Sequence, residues 1–345
     1  MIRFGINGFG RIGRCIVRLW LENKALQQSI QLVQINSPSG GKIGGHLLKY
    51  DSVHGVMKQA VEYSDNHLYL DGHDVLYTTY KNLDEMQWQN VDIVLECSGR
   101  YKDQAALSVH LTNGAKKVLL SSPGQSIEKT IVYGVNHDCL TDDDVIVSAA
   151  SCTTNCLAPI LDVLMQENEI LSGLMTTIHA YTTDQNLTDA SHKDFRRARA
   201  AAHSMIPTKT GAASTIGQVI PALTGKLDGM AVRVPTANVS LLDLTLNLRN
   251  AMTKSAINDV FAKAASGSHK GILGCSDLPL VSCDFNQREE SCIMDLTQTM
   301  TQDCTVKLMA WYDNEWAFAH RMMDLMLYMC HVSPVLGSNE AMLAS

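Results

Sequence analysis

The stretch Gly8-Phe9-Gly10-Arg11-Ile12-Gly13 constrains the fold of this chain more than any other. An apolar run over residues 2–6 precedes it, Ile12, Ile16, Leu19 and Trp20 follow on one helical face, and a second apolar run covers 30–35. Strand, glycine turn, helix, strand is the order that makes a GxGxxG meaningful. The glycines allow a tight turn and let a pyrophosphate approach the helix N-terminus. The chain is therefore expected to open with a βαβ unit of a parallel sheet, with Gly8, Gly10, Arg11, Ile12 and Gly13 against a dinucleotide.

The next strands of such a sheet are expected at 91–97 and 118–120, with a further one at 145–147. Strand ends of an open α/β sheet line the ligand crevice, which puts Ser98 and Ser122 along the cofactor. At the end of the second strand an NAD site usually carries Asp or Glu for the ribose 2′-hydroxyl. Here the residue is Ser37, after Gln34-Ile35-Asn36. A carboxylate would repel a 2′-phosphate, whereas a hydroxyl can donate to it. Ser37 thus makes NADP acceptable beside NAD.

Near the middle of the chain, Ser151-Cys152-Thr153-Thr154-Asn155-Cys156 joins the strand at 145–147 to a helical pattern of Leu157, Ile160, Leu161 and Leu164. Cys152 falls at the helix start, where unpaired N–H groups and the helix dipole favour a thiolate. Such sites bring a cysteine from ~8.5 to ~3.5–7.5. Pro159 lies inside this helix and cannot donate to the carbonyl of Asn155, so a distortion without a break is expected. Cys156 reads as a small buried hydrophobe. A thiol nucleophile needs a base or an imidazolium partner. The strand-like run 174–178 delivers His179, 27 residues on from Cys152. The polar stretch 182–210 contains Arg196, Arg197 and Arg199, which either form a solvated face or bind phosphate oxygens in a fork geometry. Beyond it, strands are expected at 230–234, 239–248, 280–284 and 306–312, with helices over 254–265 and around Met322, Leu325, Met326 and Met329.

Bulk properties exclude several classes. A chain of 345 residues suggests two domains. A net charge of −7 offers no basic field to nucleic acid. No run of ~18 apolar residues proposes a membrane span, and the N-terminus lacks the features of a signal peptide. Ten cysteines at irregular spacing without a CxxC pair, and twelve histidines without HExxH, argue against a metal site. They suggest reduced thiols in a cytoplasm.

Longer motifs add a resemblance. INGFGRIGR at 6–14, SCTTNCLAP at 151–159, His179-Ala180-Tyr181-Thr182, TGAA at 210–213, RVPTANVS at 233–240 and WYDNE at 311–315 together resemble the phosphorylating glyceraldehyde-3-phosphate dehydrogenase family, over nearly the whole chain. The resemblance implies a Rossmann dinucleotide-binding domain of residues 1–151 and 316–345 and an α+β catalytic domain with a mixed sheet over 152–315. It implies reversible oxidation of D-glyceraldehyde 3-phosphate to 1,3-bisphosphoglycerate through a hemithioacetal and thioester on Cys152, with His179 keeping the thiol ionised and then acting as base. By position, Thr182 and Arg233 match the substrate-phosphate site. Ser151, Thr153, Arg197, Thr210 and Gly211 match the inorganic-phosphate site, and Asn314 the residue that holds the nicotinamide carboxamide. The family forms homotetramers, and 182–210 resembles the loop that packs against a neighbouring subunit near the cofactor.

Departures bear on the cofactor. NAD-specific bacterial relatives carry Leu-Pro where this chain has Ala190-Ser191, and NADP-using photosynthetic forms carry Ala-Ser. Ser37 and Ser191, the latter from a neighbouring subunit, are therefore expected at a 2′-phosphate, with dual or NADP-leaning use. Ala149 stands where the family generally has Asn, and Ala317-Phe318 replaces Gly-Tyr. Erythrose-4-phosphate dehydrogenase, in which water attacks the thioester, is the alternative: Leu278-Pro279-Leu280-Val281-Ser282 resembles it, whereas Ala180-Tyr181-Thr182 and Thr210-Gly211-Ala212-Ala213 do not. The presence of Cys152, His179 and both arginines speaks against a non-catalytic descendant.

Overall fold

The computed structural model describes residues 1–331 and divides them into two compact units. One comprises 1–133, 137–150 and 319–331; the other comprises 134–136 and 151–318. The stretch 332–345, part of the expected first domain, lies outside the described residues.

The first unit is built on a nine-stranded sheet. Its order is Lys129–Thr130, Ile146–Ser148, Lys117–Leu120, Ile93–Glu96, Ile2–Asn7, Ile30–Asn36, His73–Thr78, His67–Leu70 and Val61–Tyr63. Pairing is parallel as far as His73–Thr78 and antiparallel in the last hairpins. Strands covered on both faces bury every residue, as Ile93–Glu96 and Lys117–Leu120 do, which is why they read as unbroken apolar runs. The chain leaves Ile2–Asn7 to one side and returns to Ile93–Glu96 on the other. That reversal opens the crevice in which such sheets take ligands.

Helix Arg11–Glu22 follows the glycine turn, with Ile16, Leu19 and Trp20 buried. Below the crevice a buried network fixes the strand ends. Trp88 Nε1 donates to His110 Nδ1 at 3.0 Å, so His110 donates from Nε2 to Glu96 Oε2, also at 3.0 Å. Asn7 Nδ2 reaches the same oxygen at 2.6 Å, and the Ser98 N–H reaches Glu96 Oε1 at 2.7 Å. The carboxylate thus has partners enough to be buried.

The second unit carries an eight-stranded mixed sheet. Ile170–Ala180 runs parallel to Leu227–Val234 and antiparallel to Ser240–Leu248; Thr305–Tyr312, Cys292–Asp295 and Leu273–Ser276 continue on that side, with Ile206–Lys209 at the opposite edge. Leu242, Leu244, Leu246 and Leu248 alternate into the core, as a pleated strand requires. Helices Cys152–Met165, Ala212–Val219 and Lys254–Ser266 pack beside it. Cys152–Met165 runs unbroken through Pro159 and is apolar nearly all round because it is buried nearly all round.

One expected element is absent. Residues 280–284 form no strand; Ser282–Phe285 is a single 3-10 turn, held by Asp284 Oδ2 accepting from the Val281 N–H at 2.8 Å. Leu278 and Val281 are exposed, so this apolar run lies on the surface. Among the described residues no helix is long and apolar enough to cross a membrane.

Candidate active site

The central corner adopts the expected geometry. Ser151 caps the helix, its Oγ accepting the Thr154 N–H at 3.1 Å and lying 2.8 Å from Thr154 Oγ1. Its carbonyl accepts from the Asn155 backbone at 2.9 Å. Cys152 therefore starts the helix, partly open to solvent, with its Sγ 3.5 Å from Nε2 of His179. His179 is the penultimate residue of Ile170–Ala180, and the two-residue period of the strand puts Thr177 on the same inward face.

The carbonyl of Ala180 accepts from His179 Nδ1 at 2.7 Å and from Arg233 Nη1 at 2.8 Å. Arg233 Nη1 also lies 2.7 Å from Nδ1. A carbonyl only accepts, so we assign the proton of the neutral ring to Nδ1, with the carbonyl as the acceptor it shares with Arg233. Nε2 then faces the sulfur as a base. Burial, reinforced by the charges of Arg233 and Arg197, brings His179 down to about 3.

Burial raises Cys152 above its ordinary value, opposed by Arg233 and by the Thr153 hydroxyl and N–H. The helix start favours the anion, as expected from sequence, and desolvation works against it. Cys156 is buried, and burial raises its thiol well above normal.

A hydroxyl chain lies behind the sulfur. Tyr312 Oη is 2.7 Å from Thr177 Oγ1 and 3.0 Å from Thr153 Oγ1, and all three residues are buried. The Tyr312 ring stands edge-on to the His179 imidazole, with centroids 6.0 Å apart. Neither Tyr312 nor Thr177 was singled out from sequence, although the strand period places Thr177 beside His179.

The expected anion residues fall in two states. Arg233 leaves its Nε buried without a hydrogen-bond partner. Arg197 is engaged: Nη1 pairs with Asp184, Nε donates to Thr208 Oγ1 at 2.8 Å and Nη2 to the Lys209 carbonyl at 3.1 Å. Thr182 is half-buried, and Gln185, whose N–H it accepts at 2.9 Å, buries both side-chain amide atoms without partners. Thr210 and Gly211 precede helix Ala212–Val219; Thr210 Oγ1 accepts the Ala212 N–H at 3.3 Å. Asn314 is buried, its Oδ1 taken by the Ser240 hydroxyl at 2.8 Å.

In the first unit the glycine turn has the shape of a phosphate cradle. Gly8 has φ 95°, and a Cβ there would come within 2.4 Å of the Ser98 backbone. A Cβ on Gly13 would lie 2.5 Å from the Gly8 carbonyl. A Cβ on Gly10, by contrast, would meet nothing within 4 Å, and Gly10 supplies no side-chain cap to helix Arg11–Glu22. Open space over uncapped N–H groups fits a pyrophosphate. Half-buried Ile12 lies in the helix's first turn. The Arg11 side chain is occupied by Asp51. Burial works against the Asp51 anion, yet Arg11 and the His54 and Val53 N–H groups hold the carboxyl well below the usual range. Ser98 Oγ accepts the Arg100 N–H at 3.1 Å, and Ser122 Oγ is buried without a partner. Ser37 is buried, its Oγ 3.2 Å from Ser39 Oγ, while Ser191 is exposed.

The chain is similar to known proteins over nearly its whole length. Residues 2–104 match the family model for the glyceraldehyde 3-phosphate dehydrogenase NAD binding domain, and 151–314 match its C-terminal domain. The chain is 49% identical over 325 residues to the glyceraldehyde-3-phosphate dehydrogenase of Pseudomonas aeruginosa, covering 94% of this chain and 96% of that one. It is 45% identical to the chromosomal enzyme of Cupriavidus necator over 96% of this chain and 99% of that one. It is also 45% identical to the enzyme of Geobacillus stearothermophilus, over 95% and 98%.

Proposed function

Since the chain belongs to the glyceraldehyde-3-phosphate dehydrogenase family, we propose that it oxidises D-glyceraldehyde 3-phosphate to the acyl phosphate 1,3-bisphosphoglycerate, reversibly, with NAD or NADP as second substrate and inorganic phosphate as third. The observation that carries the proposal is the approach of Cys152 Sγ to His179 Nε2, 3.5 Å, beside the unpaired Nε of Arg233.

Cys152 attacks the aldehyde carbon as Nε2 takes the thiol proton and passes it to the aldehyde oxygen, leaving a hemithioacetal. Nε2 then takes that hydroxyl's proton as the carbon is oxidised to a thioester. The nicotinamide, when bound, supplies the acceptor for the hydride that this carbon loses. Gly8, Gly10 and Gly13 would admit its pyrophosphate, and Asn314 would hold its carboxamide. Arg233 and Thr182 bind the substrate phosphate. The attacking phosphate is bound by Ser151, Thr153, Arg197, Thr210 and Gly211. Its attack releases Cys152, which recovers the proton from the imidazolium. The thioester keeps the oxidation energy in a form that phosphate can capture.

The NADP reading rests on Ser37, a hydroxyl where an NAD-selective site carries a carboxylate, together with Ser191 from a neighbouring subunit. A homotetramer is supported by the large apolar side chains left exposed within 182–210, namely Leu187, Phe195 and Met205. A chain with a catalytic thiol and ten cysteines suits a reducing cytoplasm.

Steady-state oxidation of D-glyceraldehyde 3-phosphate with each cofactor, with and without phosphate, tests the proposal. Turnover should require phosphate. Full-rate oxidation without phosphate, with erythrose 4-phosphate preferred, would overturn it. A kcat/KM for NAD about a hundredfold above that for NADP would remove the dual-cofactor reading alone.

A further inference from the structure

Val239 is buried and has φ 67°, a conformation that β-branched residues avoid. Its two neighbours share the return on that strain. Asn238 Nδ2 donates to Asp313 Oδ2 at 2.8 Å, and Ser240 Oγ donates to Asn314 Oδ1 at 2.8 Å. Asp313 is itself fully engaged: Oδ2 also accepts from the Gln287 N–H at 2.8 Å, and Oδ1 accepts from the N–H groups of Glu315 at 2.9 Å and Trp316 at 2.7 Å. The turn that carries Asn314 is thereby locked. Ser240 adds something the lock does not. Its Oγ accepts the N–H of Ala180, the residue after His179, at 3.1 Å.

An asparagine amide can point either its oxygen or its nitrogen at a neighbour, and the surroundings decide. Ser240 is 1% exposed and Asn314 5%, so water does not complete their bonding. With Ala180 donating to Ser240 Oγ, the hydroxyl proton needs an acceptor, and Asn314 Oδ1 is the group in reach. Turning the amide would leave that proton buried and unpaired, a costly arrangement. The Asn314 oxygen is therefore held inward and its N–H2 presented outward.

We propose that Ser240 is a positioning residue that sets the polarity of the Asn314 amide, so that Asn314 donates to the carbonyl oxygen of the nicotinamide carboxamide. The proposal rests on the reading of Asn314 as the carboxamide residue. Equilibrium binding of NAD and of ADP-ribose, which lacks the nicotinamide, tests both. The purified full chain should bind NAD more tightly than ADP-ribose. Ser240→Ala should cut that preference about tenfold, the effect of one buried hydrogen bond, and leave ADP-ribose affinity unchanged. Asn314→Ala should cut it as well, and the double variant should lose no more than Asn314→Ala alone. A preference preserved in Ser240→Ala, or an equal loss of both ligands, would overturn the proposal while leaving Asn314 in its role. No preference in the unaltered chain would overturn the reading of Asn314, and this proposal with it.

Discussion

Nε2 of His179 stands 3.5 Å from the sulfur of Cys152 while Nδ1 of the same ring is tied to the Ala180 carbonyl at 2.7 Å. The second contact gives the first its direction. With its proton on Nδ1, the imidazole can only receive at Nε2. Burial brings His179 down to about 3 and works against ionisation of Cys152. In the proposed reaction, proton transfer and attack on the aldehyde would be coupled, with the imidazole as general base.

Removing either partner separates the roles. Cys152→Ser should abolish oxidation while leaving cofactor affinity within about twofold, since no dinucleotide contact is assigned to the thiol. His179→Gln should lower kcat by ~10²–10⁴, the usual worth of a general base. Its residual rate should climb with pH as hydroxide replaces the base. A rate for His179→Gln that stays flat between pH 7 and pH 10 would refute the base assignment; stopped-flow measurement of the acylation burst reads it directly.

The depressed His179 also links folding to pH. In the unfolded chain the imidazole protonates near 6.5, whereas in the fold it resists down to about 3. Between those values the unfolded state binds more protons, so this contribution is complete above pH 6.5 and lost as pH falls. The limiting slope is about 1.4 kcal/mol per pH unit. Urea unfolding of the wild type and of His179→Gln at pH 7 and pH 5 should show the wild type losing about 2 kcal/mol more, from that slope over the range below 6.5. Equal losses would mean that the ring titrates normally in the fold.

Tyr312 holds two buried threonine hydroxyls with one oxygen, 2.7 Å from Thr177 and 3.0 Å from Thr153. Tyr312→Phe keeps the packing but removes this partner from both, leaving Thr177 without one. A cost of about 1–3 kcal/mol is expected for stranded buried donors. Thr153 would also lose the partner that orients it toward the sulfur, so the Cys152 thiol should ionise at higher pH. The pH dependence of iodoacetamide alkylation reports that shift, and an unchanged profile would separate Tyr312 from the thiol.

What could be read from sequence follows from how local each feature is. The glycine turn, the capped corner at Ser151 and the parallel strands were legible because spacing and burial write them into adjacent residues. The surface run 280–284 misled because apolar content alone does not tell a buried strand from an exposed turn. The hairpin His67–Leu70 and His73–Thr78 went unnoticed despite Asp71-Gly72, both at positive φ, which is a hairpin signal. The contacts of Ser240 with Asn314 and of Tyr312 with Thr153 and Thr177 join residues more than 70 positions apart, which local spacing does not reveal. The desolvation of Cys152 comes from packing around the site, which spacing does not reveal.

Gly8 and Gly10 lie two residues apart in one motif, yet their substitution should have opposite consequences. Alanine at Gly8 would force φ 95° on a residue with a Cβ and drive that carbon to 2.4 Å from the Ser98 backbone, which cannot yield without moving the strand end held by Glu96. A destabilisation above about 3 kcal/mol is expected from strain and overlap together. At Gly10 the backbone has φ −80°, ordinary for alanine, and the added carbon meets nothing. Gly10→Ala should therefore unfold at the wild-type urea midpoint. Its methyl group instead occupies the open cradle over the helix N-terminus. Dinucleotide affinity should fall at least about tenfold, because the pyrophosphate can no longer approach the N–H groups. Calorimetric titration of folded Gly10→Ala with NAD decides the matter: wild-type affinity would show that the pyrophosphate does not lie against this turn.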